Sequence, residues 1–352
     1  MKKGKTSLII ATDSPLNAES PLSSLRPRIT PVSSFFIRSH FAIPRVKLSN
    51  WRLGIEGDVE RECVFGYADL LRMPTRTVSV TLECAGNGRS GFRTAAKDEL
   101  RWGHGAVGTA RWTGVPLRAV LESVGVRTGA SEVVAEGADS GAVRGLPGEV
   151  PYSRSLPLEK AMQDDTIIAL RMNGQRLSPE HGYPARLVVP GWYGMASVKW
   201  LRTIRLVSGS PRQVFFNTVK YVYVETEQGK ETRTPVRELR VNSIITNPAD
   251  GGSIEAGRTV RVTGRAWSGQ AAVSRVEVDL GSGWRNAELS PKRVGRFEWV
   301  EWRKDWTPKR TGEMTIAARA TDEKGNVQPL EPWENKLQYG YNAVAKVRVR
   351  VV

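Results

Sequence analysis

Cys84 stands where a β-branched run, residues 77–82, meets the loop Glu83-Cys84-Ala85-Gly86-Asn87-Gly88-Arg89. Glycines let a backbone come close to a ligand and adopt positive φ. Arg89 and Arg93 follow, and nearby positive charge favours thiolate over thiol. A thiolate in such a loop is a nucleophile or a soft-metal ligand; the plainer alternative is a buried structural cysteine, the better reading for Cys63 in its Cys-Val-Phe setting. As a nucleophile Cys84 needs a base, and the chain has only three histidines, His40, His104 and His181. As a metal ligand it lacks companions, because no CxxC pair or His/Cys/carboxylate cluster is visible. A metal bound there takes most of its ligands from an organic cofactor.

Two further segments carry binding chemistry. Phe36-Ile37-Arg38-Ser39-His40 sets a guanidinium and an imidazole beside aromatic residues. Pro179-Glu180-His181-Gly182-Tyr183-Pro184-Ala185-Arg186 is a rigid loop opening into an apolar strand, a common place for binding groups. Each is weak alone, since a surface arginine and a satisfied core imidazole are the ordinary fates of such residues.

The elements that must position these groups are mixed. In the 352 residues, 40% are hydrophobic and 25% charged, which is ordinary globular composition and excludes a disordered or fibrous chain. Residues 1–34, rich in Ser, Pro and Thr, read as an extended arm on the surface. Residues 35–240 mix helical and strand patterns: helices over 67–73 and 117–124, strands over 51–57, 77–82, 186–190 and 200–207, and a polar connection over 208–240. Residues 241–352 show short alternating runs without helices, the texture of an antiparallel β-sandwich. Six of the eleven tryptophans lie there and read as packing residues. The fold class is α+β, a mixed catalytic part followed by an all-β sandwich.

Two cysteines cannot form a disulfide framework. The longest apolar run near the start, Leu8-Ile9-Ile10-Ala11, is too short for a membrane span or a secretory segment, so the expectation is a soluble chain with no membrane span, cytoplasmic as given, with the periplasm as the alternative. The net charge of +16 invites an anionic partner. The basic residues are dispersed and no nucleic-acid motif accompanies them, so no nucleic-acid partner is expected. In the last strand Lys346, Arg348 and Arg350 alternate with Val347, Val349 and Val351, and account for part of the charge as a solvated face.

Taken together and in order, the motifs resemble the sulfite oxidase family of molybdopterin-dependent oxidoreductases. The resemblance rests on Phe35-Phe36-Ile37-Arg38-Ser39-His40-Phe41-Ala42-Ile43-Pro44, on Thr81 to Arg89, and on Trp102-Gly103-His104-Gly105-Ala106-Val107-Gly108-Thr109-Ala110-Arg111-Trp112. It continues through Met172-Asn173-Gly174-Gln175, the stretch from His181 to Gly191, and Ser197-Val198-Lys199-Trp200-Leu201. Gly264-Arg265-Ala266-Trp267-Ser268-Gly269 and Asn326-Val327-Gln328-Pro329 resemble the family's immunoglobulin-like dimerisation domain.

The resemblance implies a molybdenum held by one molybdopterin, with Cys84 as the protein ligand. It places His40, Asp139, His181, Arg186, Ser197 and Lys199 at the pterin and its phosphate, and Arg38, Arg89, Trp102 and Tyr221 in the substrate pocket. It implies oxidation of sulfite, a small oxyanion, to sulfate by oxo transfer, in a homodimer. No b-type haem domain precedes residue 35, so the expected electron acceptor is external, such as a c-type cytochrome. Reduction of nitrate or a sulfoxide at the same centre is the alternative. Departures from the family pattern are Ser39 in place of Asn, Gly88 in place of a second Arg, and no clear counterpart of the pocket arginine from the C-terminal domain, where Lys336 is the nearest basic residue. Tyr223 is a rival to Tyr221, and His104 has no assigned role.

Overall fold

The computed structural model describes residues 8–94, 96, 99–209, 214–291 and 295–352. Its strands through the catalytic part are β1 (Ile9–Asp13), β2 (Leu16–Glu19), β3 (Arg52–Gly57), β4 (Cys63–Gly66), β5 (Arg76–Glu83), β6 (Val107–Pro116), β7 (Ala130–Ala142), β8 (Glu149–Pro157), β9 (Ile167–Met172), β10 (Gln175–Arg176), β11 (Arg186–Val188), β12 (Leu201–Ser208), β13 (Val222–Glu227) and β14 (Lys230–Pro235). Four short helices interrupt them: α1 (Tyr67–Arg72), α2 (Leu117–Val124), α3 (Leu158–Ala161) and α4 (Phe215–Thr218).

Two five-stranded sheets carry the site. One has the order β10-β9-β6-β5, with β11 also pairing with β9. The other runs β4-β3-β12-β7-β8, antiparallel except for the β3–β12 pair. Strand β5 begins exposed and ends buried at Glu83, so it delivers Cys84 into the interior. Helix α2 buries Leu117, Val120, Leu121 and Val124, one stripe at i, i+3, i+4, i+7, and ends at Gly125 with φ +75°.

Residues 242–351 form the sandwich. Strands β15 (Asn242–Asn247), β17 (Val260–Trp267), β21 (Val300–Trp306) and β20 (Glu288–Leu289) make one sheet; β16 (Gly252–Ile254), β23 (Ala345–Val351), β22 (Gly312–Asp322), β18 (Val273–Asp279) and β19 (Trp284–Asn286) make the other. Val347, Val349 and Val351 face inward and Lys346, Arg348 and Arg350 outward, as the alternation requires. Trp302 fills the sandwich core, whereas Trp267 and Trp299 join the core cluster of the catalytic part. Trp333 is exposed.

Two expectations need correction. The stretch read as a surface arm carries a hairpin, β1–β2, and buries Ala18, Leu25 and Thr30 completely; its residues 1–7 lie outside the described ones. The lack of periodicity hid an ordered segment, because its order comes from long-range partners. The backbone of Ala18 exchanges hydrogen bonds with Ile37, and Glu19 accepts from the backbone of Gly103 and Gly105, both at 3.0 Å. The polar connection over 208–240 contains α4 and the β13–β14 hairpin; its residues 210–213 lie outside the described ones.

Candidate active site

The Cys84 loop is closed from three sides. Cys84 N–H donates to Ala106 at 2.9 Å, continuing the β5–β6 ladder, and Asn87 N–H donates back to Cys84 at 2.9 Å. The Asn87 side chain accepts from Ala106 N–H at 3.0 Å and donates to Glu83 at 2.9 Å. Glu83 is fully buried and also accepts from Trp267 Nε1 at 2.8 Å and Asn242 at 3.1 Å. Burial pushes this carboxyl up to about 7, against the pull of those three donors. The loop bearing the candidate metal ligand is thereby tied to the sandwich. Gly88 sits at φ +74°, and a Cβ there would lie 2.5 Å from the Tyr341 ring. Tyr341 fills the space over the position where the family pattern has an arginine. The exposed His104 packs its ring 5.5 Å from the same tyrosine.

Cys84, 6% exposed, faces a cavity that is partly open to solvent. Burial raises its thiol pKa, while Arg38, the Gly86 N–H and Arg89 lower it. On the cavity wall Arg38 donates to Asn17 at 3.1 Å and to the His40 ring, 3.1 Å from Nε2. His40 Nε2 lies 2.7 Å from the Tyr221 hydroxyl. The His40 ring stacks on Tyr152 at 5.5 Å, and burial with the neighbouring Arg38 and Lys220 charges holds it well below its usual pKa, so it is neutral. Tyr221 has φ +53° and is buried, with its pKa pushed up to about 12 by desolvation.

The rest of the lining adds two more basic side chains. Arg186 donates to Ser197 O at 2.9 Å and His181 O at 3.3 Å and stacks over Trp112 at 4.9 Å. Burial lowers its pKa to about 9, which leaves it charged at neutral pH. Lys199 donates to Glu180 O at 2.8 Å and Ser39 Oγ at 3.0 Å, and burial lowers its pKa strongly. His181 points Nε2 at Val32 O, 3.4 Å away, and burial plus Lys199 and Arg186 bring it to about 3. Asp139 lines the same wall with its Oδ1 buried and unpartnered, and desolvation raises it to about 7. Ser197 spends its hydroxyl on Val189 N–H at 3.1 Å.

The eight residues Arg38, His40, Cys84, Asp139, His181, Arg186, Ser197 and Lys199 therefore share one cavity, and Tyr221 joins them. Trp102 and Arg89 stand apart from its wall. Trp102, 1% exposed, lies in the apolar cluster that also holds Cys84. Arg89 is buried in the lee of the loop, its guanidinium over Gly86, where a Cβ would come within 2.7 Å of it. It donates to Leu100 O at 2.9 Å and Gln338 O at 3.2 Å, and pairs with Glu99 at 3.3 Å. Lys336 is on the surface, paired with Glu231, so it supplies no pocket cation. The segment carrying it brings Tyr339 instead, 5.2 Å from Tyr221 and 5.0 Å from Arg89. Tyr223 lies outside the cavity, beneath Arg240 and against Trp333.

Sequence reasoning missed Tyr152, Glu83 and Glu99. Tyr152 lies on the inward face of β8 and donates to Met195 O at 2.8 Å. Its alternation on β8 was the available signal; Glu99 carries none.

Residues 40–215 match the oxidoreductase molybdopterin binding domain, and residues 233–351 match the Mo-co oxidoreductase dimerisation domain. Chicken sulfite oxidase is 35% identical over 92% of this chain and 73% of its own length. The chain belongs to the sulfite oxidase family of molybdopterin oxidoreductases. Rat mitochondrial sulfite oxidase is also 35% identical, over 98% of this chain, which spans 66% of the rat protein's length. A nitrate reductase of Arabidopsis thaliana is 32% identical over the whole chain and 41% of its own length. Among solved structures, the sulfane dehydrogenase SoxCD from Paracoccus pantotrophus superposes with a TM-score of 0.81 at 30% identity, covering 96% of this chain and 85% of that one.

The family uses a molybdopterin-bound molybdenum, and the residues fit it. No group of three or more His, Cys, Asp or Glu among the described residues is placed to hold a metal. Cys84 could give one soft ligand, and the cavity it faces holds cations that could meet a phosphate and an unpartnered Asp139 oxygen that could meet a polar ring. The protein is an oxidoreductase that needs this cofactor.

Proposed function

We propose that this protein oxidises sulfite to sulfate at the molybdenum centre and hands the electrons to an external acceptor of the c-type cytochrome class. The observation that carries the reading is one cavity that brings Cys84 together with Arg38, His40 and Tyr221 and with Arg186, Lys199, His181 and Asp139. The bound cofactor supplies a two-electron oxo-transfer centre.

In this reading Cys84 binds the metal through its thiolate. Arg186 and Lys199 neutralise the cofactor phosphate, with the neutral His181 and His40 and the Ser197 segment positioning the pterin. Arg38 and Tyr221 face the substrate. The Arg38 guanidinium, already oriented by Asn17 and the His40 ring, needs little reorganisation to meet an oxyanion. Trp102 and Arg89 act from the second layer, Trp102 by packing and Arg89 by its charge. The dimerisation domain supports a homodimer.

Nitrate or sulfoxide reduction is the second reading. It is favoured by the nitrate reductase likeness. Initial rates separate the two. Sulfite with ferricyanide should turn over, and nitrate or a sulfoxide with reduced viologen should not. Absence of sulfite turnover on fully metallated protein overturns the first reading.

A further inference from the structure

Three charged side chains meet beside the pocket. The Glu99 carboxylate lies 3.3 Å from Arg89 Nη1 and bonds Lys220 through its other oxygen. Arg89 and Glu99 are buried, at 3% and 9% side-chain exposure, and Lys220 is 31% exposed. The group is continuous with the site: Arg89 lies over Gly86, two residues from Cys84, and Lys220 precedes the cavity residue Tyr221. Tyr339 packs against both Arg89 and Tyr221. The Glu99 charge acts on Arg38, Tyr221 and Tyr339.

Two cations and one anion leave a single net positive charge. Glu99 takes a charge-assisted bond from Lys220 and compensates the charge of Arg89, whose donors go to Leu100 O, Gln338 O and Leu337 O. We propose that Glu99 is an internal counter-anion that sets how tightly the site holds an oxyanion, weakening its grip on a doubly charged one such as the sulfate product. The inference rests on the oxyanion reading above and goes beyond it by naming a residue outside the cavity wall as the determinant. Glu99 acts through Arg89 and Lys220 and does not touch the substrate.

The test uses molybdenum-loaded protein, in which the cofactor phosphate occupies its own cations. Glu99→Gln raises the local charge by one, and Lys220→Gln lowers it by one. Calorimetric titration with sulfate, a doubly charged probe, should show binding tightened about tenfold in E99Q, the scale of one bond to a charged group. It should be weakened by a similar factor in K220Q. The sulfite KM should move in the same two directions. A merely structural role would shift both variants the same way. Unchanged or weakened sulfate binding in E99Q overturns the proposal. If E99Q does not fold, K220Q decides alone: weaker sulfate binding supports the proposal, and unchanged binding overturns it. Absence of sulfite turnover in the unaltered protein would remove the sulfite reading while the sulfate titrations still decide Glu99.

Discussion

At the residue scale, Cys84 and Asp139 are two buried groups with opposite needs. Cys84 sits in a cavity where a hydroxyl fits as well as a thiol, but a hydroxyl is a poor ligand for a soft site. Cys84→Ser should keep the fold, by circular dichroism and melting temperature, and lose turnover, by sulfite-dependent acceptor reduction. Wild-type-like activity in that variant would refute the ligand assignment. Asp139 is raised to about 7 by desolvation, with Lys199 pulling the other way. A carboxyl with a raised folded pKa keeps its proton between about pH 4 and 7, where the unfolded chain has released it. Its contribution to cofactor-free stability is therefore present at acid pH and lost as pH rises to about 7, by about 4 kcal/mol if the whole shift is expressed. Asp139→Asn has no such proton. Melting curves from pH 4 to 8 should show the variant gaining relative to the unaltered protein as pH rises, and a constant difference would count against a raised Asp139.

At the element scale, the β1–β2 hairpin is the piece whose importance exceeds its size. Glu19, at the end of β2, holds Gly103 and Gly105 by their N–H groups, and that segment supports the Cys84 loop through the bond from Gly88 N–H to Gly103 O. Gly105 admits nothing larger, because a Cβ would lie 1.9 Å from Ser20 O. Glu19→Ala leaves two backbone donors without partners and should cost about 2–3 kcal/mol, read as a lower urea midpoint. An unchanged midpoint would mean that the hairpin docks without it. What the sequence could and could not show divides along the same line. Strand β5 and helix α2 were legible because their signals are local: β-branched alternation in the first, an apolar stripe ended by Gly125 in the second. The six ordered motifs led to Cys84, Arg38 and the basic wall. The hairpin was illegible because Asn17, Ala18 and Glu19 gain their partners from residues up to 86 positions away. Likewise nothing near Glu99 announces Lys220, 121 positions on. The pocket positions of Arg89 and Trp102 came from family pattern, and here Arg89 is held by Leu100, Gln338 and Glu99 instead of the cavity.

At the scale of the whole molecule, the net charge of +16 bears on how electrons leave. The pocket absorbs only a few of those charges; others stand on the outer face of β23 as Lys346, Arg348 and Arg350. A long-range positive field draws in an anionic or acidic acceptor and repels a basic one. Salt shortens the reach of that field from about 30 Å at 0.01 M ionic strength to about 8 Å at 0.15 M. The second-order rate of reoxidation by ferricyanide or an acidic c-type cytochrome should therefore fall over that range. The rate with a basic cytochrome of similar potential should rise. Stopped-flow reoxidation of the sulfite-reduced protein across the salt series measures both. Charged groups concentrated near the docking point dominate such slopes, so the Lys346, Arg348 and Arg350 face can be tested separately by reversing it to glutamates. Loss of the salt dependence with kcat intact would place the acceptor on that face; an unaltered slope would place it elsewhere. Equal salt responses for acidic and basic acceptors would show that the net charge plays no part in the encounter.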